Sequence, residues 1–284
     1  MELWRGAPVA ARIYETEQPV LAALAEKGVK PTLAVVRVGE REDDLSYERG
    51  LKKAAGDKID LKIVALPEDV SADEFNAALA DLNEDNAVHG ILIFRPLPKP
   101  LRGNVNLEAA IPPEKDVDGM TAVAVSAAFR NVSDLCSPCT AQAVIEMLDF
   151  YGVELKGKRV TVVGRSLVVG KPLSMLLLNR NATVTVCHTG TADLAAECRR
   201  ADIVVACAGA RNLVAADGMN EGQVLVDVGI HVDENGLCGD INQADAEAAN
   251  VAALTPVPGG LGPVTNAVLI RNVIEAAKKA AKIV

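Results

Sequence analysis

The stretch from Lys158 to Pro172 has residue types and spacing that could hold a phosphate. The β-branched run Val160-Thr-Val-Val163 ends on Gly164-Arg165-Ser166, and Gly170-Lys-Pro172 precedes the apolar Leu173-Ser-Met-Leu-Leu-Leu178. This predicts a strand, a tight turn and a helix start, where free backbone N–H groups and the helix dipole favour an anion. The spacing is not G-x-G-x-x-G. A strand–helix corner of any α/β protein makes the same pattern. A bound NAD calls for an acid about 20 residues past the glycines to take the ribose 2′-hydroxyl. Here the next strand ends on Cys187-His-Thr-Gly-Thr191, with no carboxylate. Arg165 in the turn, with hydroxyls at Thr189 and Thr191, suits a 2′-phosphate, so the expected cofactor is NADP rather than NAD.

The elements that must position this turn are those of an α/β protein. Half of the 284 residues are apolar and only 3% aromatic. Packing therefore falls to Ala, Val and Leu, as in helices layered on buried parallel strands. Strands are expected at 31–38, 61–66 and 88–94, with a helix from Arg12 to Lys27. Ser71-Ala-Asp-Glu74 is a capping box opening a helix through about Leu82. Arg95-Pro-Leu-Pro-Lys-Pro100 cannot continue a strand, so it forms a loop at a strand's carboxyl end, where open α/β sheets place ligands. A helix from Ser137 to Tyr151-Gly152 leads, through a candidate linker there, into a second unit. That unit has strands at 159–163, 183–187, 202–206 and 223–228, helices at 170–180 and 191–199, and a doubly wound sheet. One long helix runs from Gly262 to Ile283.

The net charge of −9 argues against a nucleic-acid surface. No segment approaches the roughly 20 apolar residues of a membrane span, and the start lacks a signal-peptide apolar region, so a cytoplasmic protein is expected. Cys136-Ser-Pro-Cys139 has metal or redox spacing, but no second pair follows and the three histidines are scattered. Reduced, partly buried thiols and no metal are expected.

Several segments together resemble one family, that of methylenetetrahydrofolate dehydrogenase/cyclohydrolase. They are Lys115-Asp-Val-Asp-Gly119, Pro138-Cys-Thr140, Gly164-Arg-Ser166 with Val169-Gly-Lys-Pro172, and Ala182-Thr-Val-Thr185 with His188-Thr189. Val226-Asp-Val-Gly-Ile230 and Thr255-Pro-Val-Pro-Gly-Gly-Leu-Gly-Pro-Val-Thr265 complete the set. The match runs in order from Val38-Gly39 to the last helix. The resemblance implies two domains with a folate cleft between them: an α/β folate domain over 1–138 plus 265–284, and a Rossmann-like, NADP-binding domain over 139–264. It also implies a homodimer, and a C-terminal helix that packs back on the folate domain.

The resemblance assigns cofactor roles to Gly164, Arg165, Ser166, Gly170 and Thr189, with Ile230 near the nicotinamide. Asp118, in a loop between Pro112-Pro113 and Gly119, is the carboxylate that accepts two N–H bonds from the pterin's aminopyrimidine ring. Asp116 is expected to hold that loop. Tyr47 lines the folate ring and, with Asp118, is the expected catalytic pair. Pro258, Gly259, Gly260, Leu261 and Gly262 form a loop that approaches the substrate closely, and Thr265 opens the helix after it.

The chain departs from its family where water would attack the methenyl carbon. The family lysine, four residues past the tyrosine, is Leu51 here, and the glutamine that hydrogen-bonds it is Phe94. Lys53 matches a second, non-catalytic lysine. Lys52 points about 140° away from Tyr47 on a helix, unless Gly50 distorts the turn. Asp44 stands where the family has a serine, and Arg95 where it has an apolar residue, so Arg95 either enters the cleft or faces solvent. The expected activity is NADP-dependent oxidation of 5,10-methylenetetrahydrofolate to 5,10-methenyltetrahydrofolate in one-carbon metabolism, with cyclohydrolase activity weak or absent. The alternatives are a bifunctional enzyme in which Lys52 substitutes, and a non-catalytic folate- or nucleotide-binding paralogue.

Overall fold

A computed structural model of the chain describes residues 1–132, 134–233 and 236–283. In chain order its elements begin with β1 (Glu2–Leu3), α1 (Gly6–Glu26), β2 (Thr32–Val38), α2 (Glu42–Ala55), β3 (Asp60–Leu66), α3 (Ala72–Glu84), β4 (Gly90–Ile93), α4 (Ala122–Arg130) and α5 (Cys139–Phe150). They continue with β5 (Arg159–Val163), α6 (Gly170–Asn179), β6 (Thr183–Cys187), α7 (Leu194–Arg199), β7 (Ile203–Ala206) and β8 (Val224–Asp227). The last are β9 (His231–Asp233), β10 (Gly236–Cys238), α8 (Gln243–Ala248), β11 (Ala253–Leu254) and α9 (Leu261–Ala280). Among the described residues no helix is long and apolar enough to cross a membrane.

The chain divides into two compact units. One comprises Arg12–Ala127, Val132–Cys139 and Asn266–Val284; the other comprises Met1–Ala11, Ala128–Asn131 and Thr140–Thr265.

The first unit holds a parallel three-stranded sheet in the order β3-β2-β4. Val35 in the central strand stands opposite Ile63 on one side and Leu92 on the other. Ala34, Val36, Ile91 and Ile93 pack with Phe75, Leu79 and Leu82 of α3 into one core. The capping box forms as expected: Glu74 N–H donates to Ser71 Oγ at 3.2 Å, and Ser71 N–H donates to Glu74 Oε2 at 3.0 Å. The carboxyl ends of β2 and β4 lead into the segments that carry the chemistry, as parallel sheets do.

The second unit holds six strands in the order β1-β11-β8-β7-β5-β6, every neighbouring pair parallel. Its central strands are buried without alternation, the signature of helices on both faces. β5 pairs with β6 on one side and β7 on the other. The order reverses there, so the crevice beyond Val163 is where a doubly wound sheet takes its ligand.

The expected strands form within a residue or two, but several element ends differ. The first helix starts at Gly6 rather than Arg12. α7 starts at Leu194 rather than 191, because Asp193 Oδ1 accepts Ala196 N–H at 2.9 Å and sets the cap later. The last helix starts at Leu261, so Leu261 and Gly262 belong to its first turn rather than to the preceding loop. Thr265 therefore does not open that helix: its Oγ1 donates to Leu261 O, 3.4 Å away, inside the second turn. Pro263 tolerates a first-turn position because no helical partner is lost there.

Candidate active site

In the three-stranded unit the groups converge at the carboxyl end of β4. Phe94 follows the strand and is buried; Tyr47, on α2, is 39% exposed. Their rings meet edge to face with centroids 5.4 Å apart. Phe94 therefore supplies a hydrocarbon wall beside the tyrosine, with no amide to donate or accept.

Asp118 is fixed from three directions. Asp116 is buried and ties the loop: its Oδ1 accepts Met120 N–H at 3.0 Å, and its Oδ2 accepts Thr121 N–H at 2.9 Å and Thr121 Oγ1 at 2.6 Å. Cys139, opening α5, donates its N–H to Asp118 O at 3.2 Å and its Sγ–H to Val117 O at 3.2 Å. Asn272 of α9 donates to the same Val117 oxygen at 2.8 Å. Gly119 has φ of +68°, and a Cβ there would lie 2.5 Å from Pro138 N, so only glycine lets the two segments approach. The loop role expected for Asp116 holds. The support from Cys139 and Asn272 was missed: no local pattern links residues so distant in the chain.

Arg95 enters this site rather than facing solvent. Its Nη2 donates to Asp118 Oδ2 at 3.0 Å. Burial still pushes the Asp118 carboxyl up to about 6, against the pull of that guanidinium. Burial likewise drives the Tyr47 phenol and the Cys139 thiol well above their ordinary ranges, so both stay neutral.

The amine-bearing face of α2 is arranged differently. Leu51 is fully buried. The helix runs unbroken through Gly50, so Gly50 does not swing Lys52 around. Lys52 Nζ donates to Glu48 Oε1 at 2.5 Å, and Arg37 Nε donates to Glu48 Oε2 at 3.2 Å. The two cations, Lys52 foremost, hold the Glu48 carboxyl below its usual range. Asp44 receives Arg41 Nε at 2.9 Å and Arg41 Nη2 at 2.7 Å.

In the six-stranded unit, Gly164 has φ of +134°, and a Cβ there would lie 2.5 Å from Cys207 O. A Cβ at Gly170 would collide with Gly164 O. Both positions thus require glycine, and α6 starts hard against the strand end. Ser166 Oγ accepts Val169 N–H at 3.1 Å, which orders the turn between them. A cavity of about 330 Å³ opens here, lined by Gly164, Arg165, Ser166, His188, Thr189 and Cys207 among others, and its lining contains no carboxylate. Gly170 lies behind the turn and Ile230 is exposed; neither lines this cavity. Thr191 does not line it either, contrary to expectation: its Oγ1 accepts His188 N–H at 2.9 Å and closes the loop.

The far wall of the cavity depends on a residue that the sequence did not reveal. Asp240 is fully buried. Its Oδ2 accepts Ala208 N–H at 2.7 Å and Gly209 N–H at 3.1 Å, and its Oδ1 accepts Ala210 N–H at 2.9 Å. His231 Nε2 lies 2.8 Å from that Oδ1. Asp227 holds Asp240 in turn, its Oδ1 accepting Asp240 N–H at 3.0 Å. The Pro258–Gly262 segment is divided: Pro258 and Gly259 are exposed, Gly260 and Leu261 buried.

One unit thus presents a fixed carboxylate beside an exposed aromatic ring, suited to a flat heterocycle with N–H donors. The other presents a glycine turn, a helix start and a guanidinium, suited to an anionic nucleotide.

The profile "Tetrahydrofolate dehydrogenase/cyclohydrolase, catalytic domain" matches residues 4–118, and its NAD(P)-binding companion matches residues 138–281. The chain is 44% identical to the "Bifunctional protein FolD" of Alkaliphilus metalliredigens over 280 residues, 98% of each chain. The solved bifunctional enzyme FolD of Campylobacter jejuni superposes with a TM-score of 0.94 at 35% identity, covering 98% of this chain and 99% of that one. The Trypanosoma brucei methylenetetrahydrofolate dehydrogenase-cyclohydrolase, solved with NADP and an inhibitor, superposes with a TM-score of 0.92 at 35% identity, covering 99% of this chain and 98% of that one.

Proposed function

The chain belongs to the tetrahydrofolate dehydrogenase/cyclohydrolase family, and from that premise we propose that it oxidises 5,10-methylenetetrahydrofolate to 5,10-methenyltetrahydrofolate with NADP, and hydrolyses the product weakly or not at all. The observation that carries this reading is the contrast on the two sides of Tyr47. The carboxylate at 118 is held by loop, helix and side-chain bonds, while positions 51 and 94 are hydrocarbon.

Hydride transfer asks for orientation and asks little of acid–base chemistry. Asp118 accepts the pterin's N–H donors, and Tyr47 flanks the ring. We also assign substrate contacts to Pro258, Gly259, Gly260, Leu261, Gly262 and Thr265. Bound NADP supplies the hydride acceptor. The glycine turn at 164 and the start of α6 bind its phosphates with Ser166, Arg165 takes the 2′-phosphate with Thr189, Gly170 keeps the helix close, and Ile230 borders the nicotinamide. Water attack on the methenyl carbon needs proton transfer. The Lys52 ammonium is engaged by Glu48, and Leu51 has no proton to give. A separated assay tests the reading: formation of reduced nicotinamide from methylenetetrahydrofolate, and decay of added methenyltetrahydrofolate. A non-catalytic paralogue would bind both ligands without the first signal.

Two further outcomes follow. Arg165→Ala lowers kcat/KM for NADP by about 10–100-fold, the worth of one or two charge-assisted hydrogen bonds. The same variant leaves the value for NAD within about threefold, since NAD lacks the 2′-phosphate. Initial rates with the two nucleotides check this.

The second concerns pH. The Asp118 carboxylate accepts the pterin bonds only when ionised, and its value stands at about 6. Because the carboxyl is raised, protonation begins well above the ordinary aspartate range. kcat/KM for the folate is therefore full above that value and falls on acidification through it, approaching tenfold per pH unit. A pH series of kcat/KM checks the midpoint.

We also assign a homodimer and a cytoplasmic setting. Phe129, 68% exposed, and Leu178, 53% exposed, stand near adjoining helix ends, joined where Asn179 Nδ2 donates to Ala128 O at 3.1 Å, and give a self-association face apolar material. All six cysteines are free thiols, as a reducing compartment keeps them.

A further inference from the structure

The Arg95 guanidinium lies on the carboxylate assigned to the pterin. We propose that Arg95 competes with the substrate: its guanidinium holds Asp118 through Nη2, and folate binds only by displacing it. The inference rests on the reading of Asp118 as the pterin-binding acid.

The argument starts from chemistry. A guanidinium and a 2-amino-4-oxopyrimidine edge each present coplanar N–H donors on an N–C–N frame. Each is built to pair with one carboxylate, and a carboxylate seats one such fork at a time. Arg95 Nη2 stands 3.0 Å from Asp118 Oδ2, with the two side chains 30% and 19% exposed, so water screens the pair only in part.

The surroundings decide where a displaced guanidinium can go. Asp116 already accepts three hydrogen bonds from Met120 and Thr121. Glu48 is taken by Arg37 and Lys52. Asp44 is taken by both arms of Arg41. None of these carboxylates offers Arg95 an equivalent seat. The Arg95 main chain is also tethered, because Arg41 Nη2 donates to Arg95 O at 3.5 Å. Displacement is thus a side-chain swing toward solvent, and the lost ion pair is subtracted from folate affinity. An apolar residue at 95 leaves only water to expel from the carboxylate.

Titration calorimetry with tetrahydrofolate tests this, using the full-length protein well above the pH at which Asp118 protonates. Arg95→Leu binds tetrahydrofolate about three- to tenfold more tightly than the parent, the range expected for loss of a partly screened ion pair. Arg95→Lys, which keeps the charge and loses the fork, shows a smaller gain of the same sign. The gain disappears when Asp118→Asn is added, because no carboxylate remains to compete for. The acid limb of the folate kcat/KM profile also moves to higher pH in Arg95→Leu, since the guanidinium no longer favours the Asp118 anion. Unchanged or weaker binding by both single variants overturns the proposal, as does an equal gain in the Asp118→Asn background. A parent protein that fails to bind tetrahydrofolate at all overturns the assignment of the site itself, and is distinguished by appearing before any variant is compared.

Discussion

Asp118→Asn lowers kcat/KM for methylenetetrahydrofolate by about 10²–10³-fold and leaves the Kd for NADP within about twofold. The magnitude is that of two hydrogen bonds to a charged acceptor, each about 1.5–3 kcal/mol. An amide at 118 still fits the loop that Asp116, Gly119 and Cys139 build. It accepts through one atom and presents N–H donors through the other, so one pterin donor meets a donor. Arg95 also loses its partner, which offsets part of the defect by freeing the site. Initial rates and nucleotide titration check both halves. Near-parental kcat/KM in the Asp118→Asn variant would place the pterin elsewhere.

The second large effect concerns hydrolysis. Methenyltetrahydrofolate added to the parent protein decays at or little above the spontaneous rate, and Lys52→Met changes neither that decay nor hydride transfer. General acid–base assistance contributes typically 10²–10⁴-fold, so its presence or loss is not subtle. On this reading Lys52 does not substitute, because its ammonium lies on Glu48, which Arg37 also grips. Leu51→Lys alone costs stability, since position 51 is fully buried and a lone ammonium there has no partner. Leu51→Lys with Phe94→Gln supplies a hydrogen-bonded pair and raises hydrolysis at least about tenfold above the spontaneous rate. Rapid decay with the parent enzyme, abolished by Lys52→Met, sinks the reading.

What the sequence revealed follows from what is local. Buried parallel strands such as Thr32–Val38 are mostly apolar runs without alternation, and Ser71 with Glu74 caps a helix within four residues. Gly164 and Gly170 stand out because one ends a β-branched run and the other opens an apolar helix. The remainder is tertiary. β1 and β11 are two residues each, too short for any periodicity, and exist only as partners. Asp240 draws together the N–H groups of residues 208–210 from some thirty positions away. Arg95 showed a departure from the family but not its direction, because whether it reached Asp118 depended on the path of a proline-bound loop. Thr191 carries the same hydroxyl as Thr189, and only the turn at His188 tells which of the two remains on the cavity wall.

The pairing of Glu2 with Ala253 and of Leu3 with Leu254 bears on how the protein is made. A ribosome adding roughly 5–20 residues per second reaches those partners some tens of seconds or less after releasing the strand that needs them. Through that interval β1 has no partner, and once β8 is made its edge stays open until β11 follows and bridges the two. Neither half can be expressed alone by cutting the gene once, because each compact unit draws on both early and late codons.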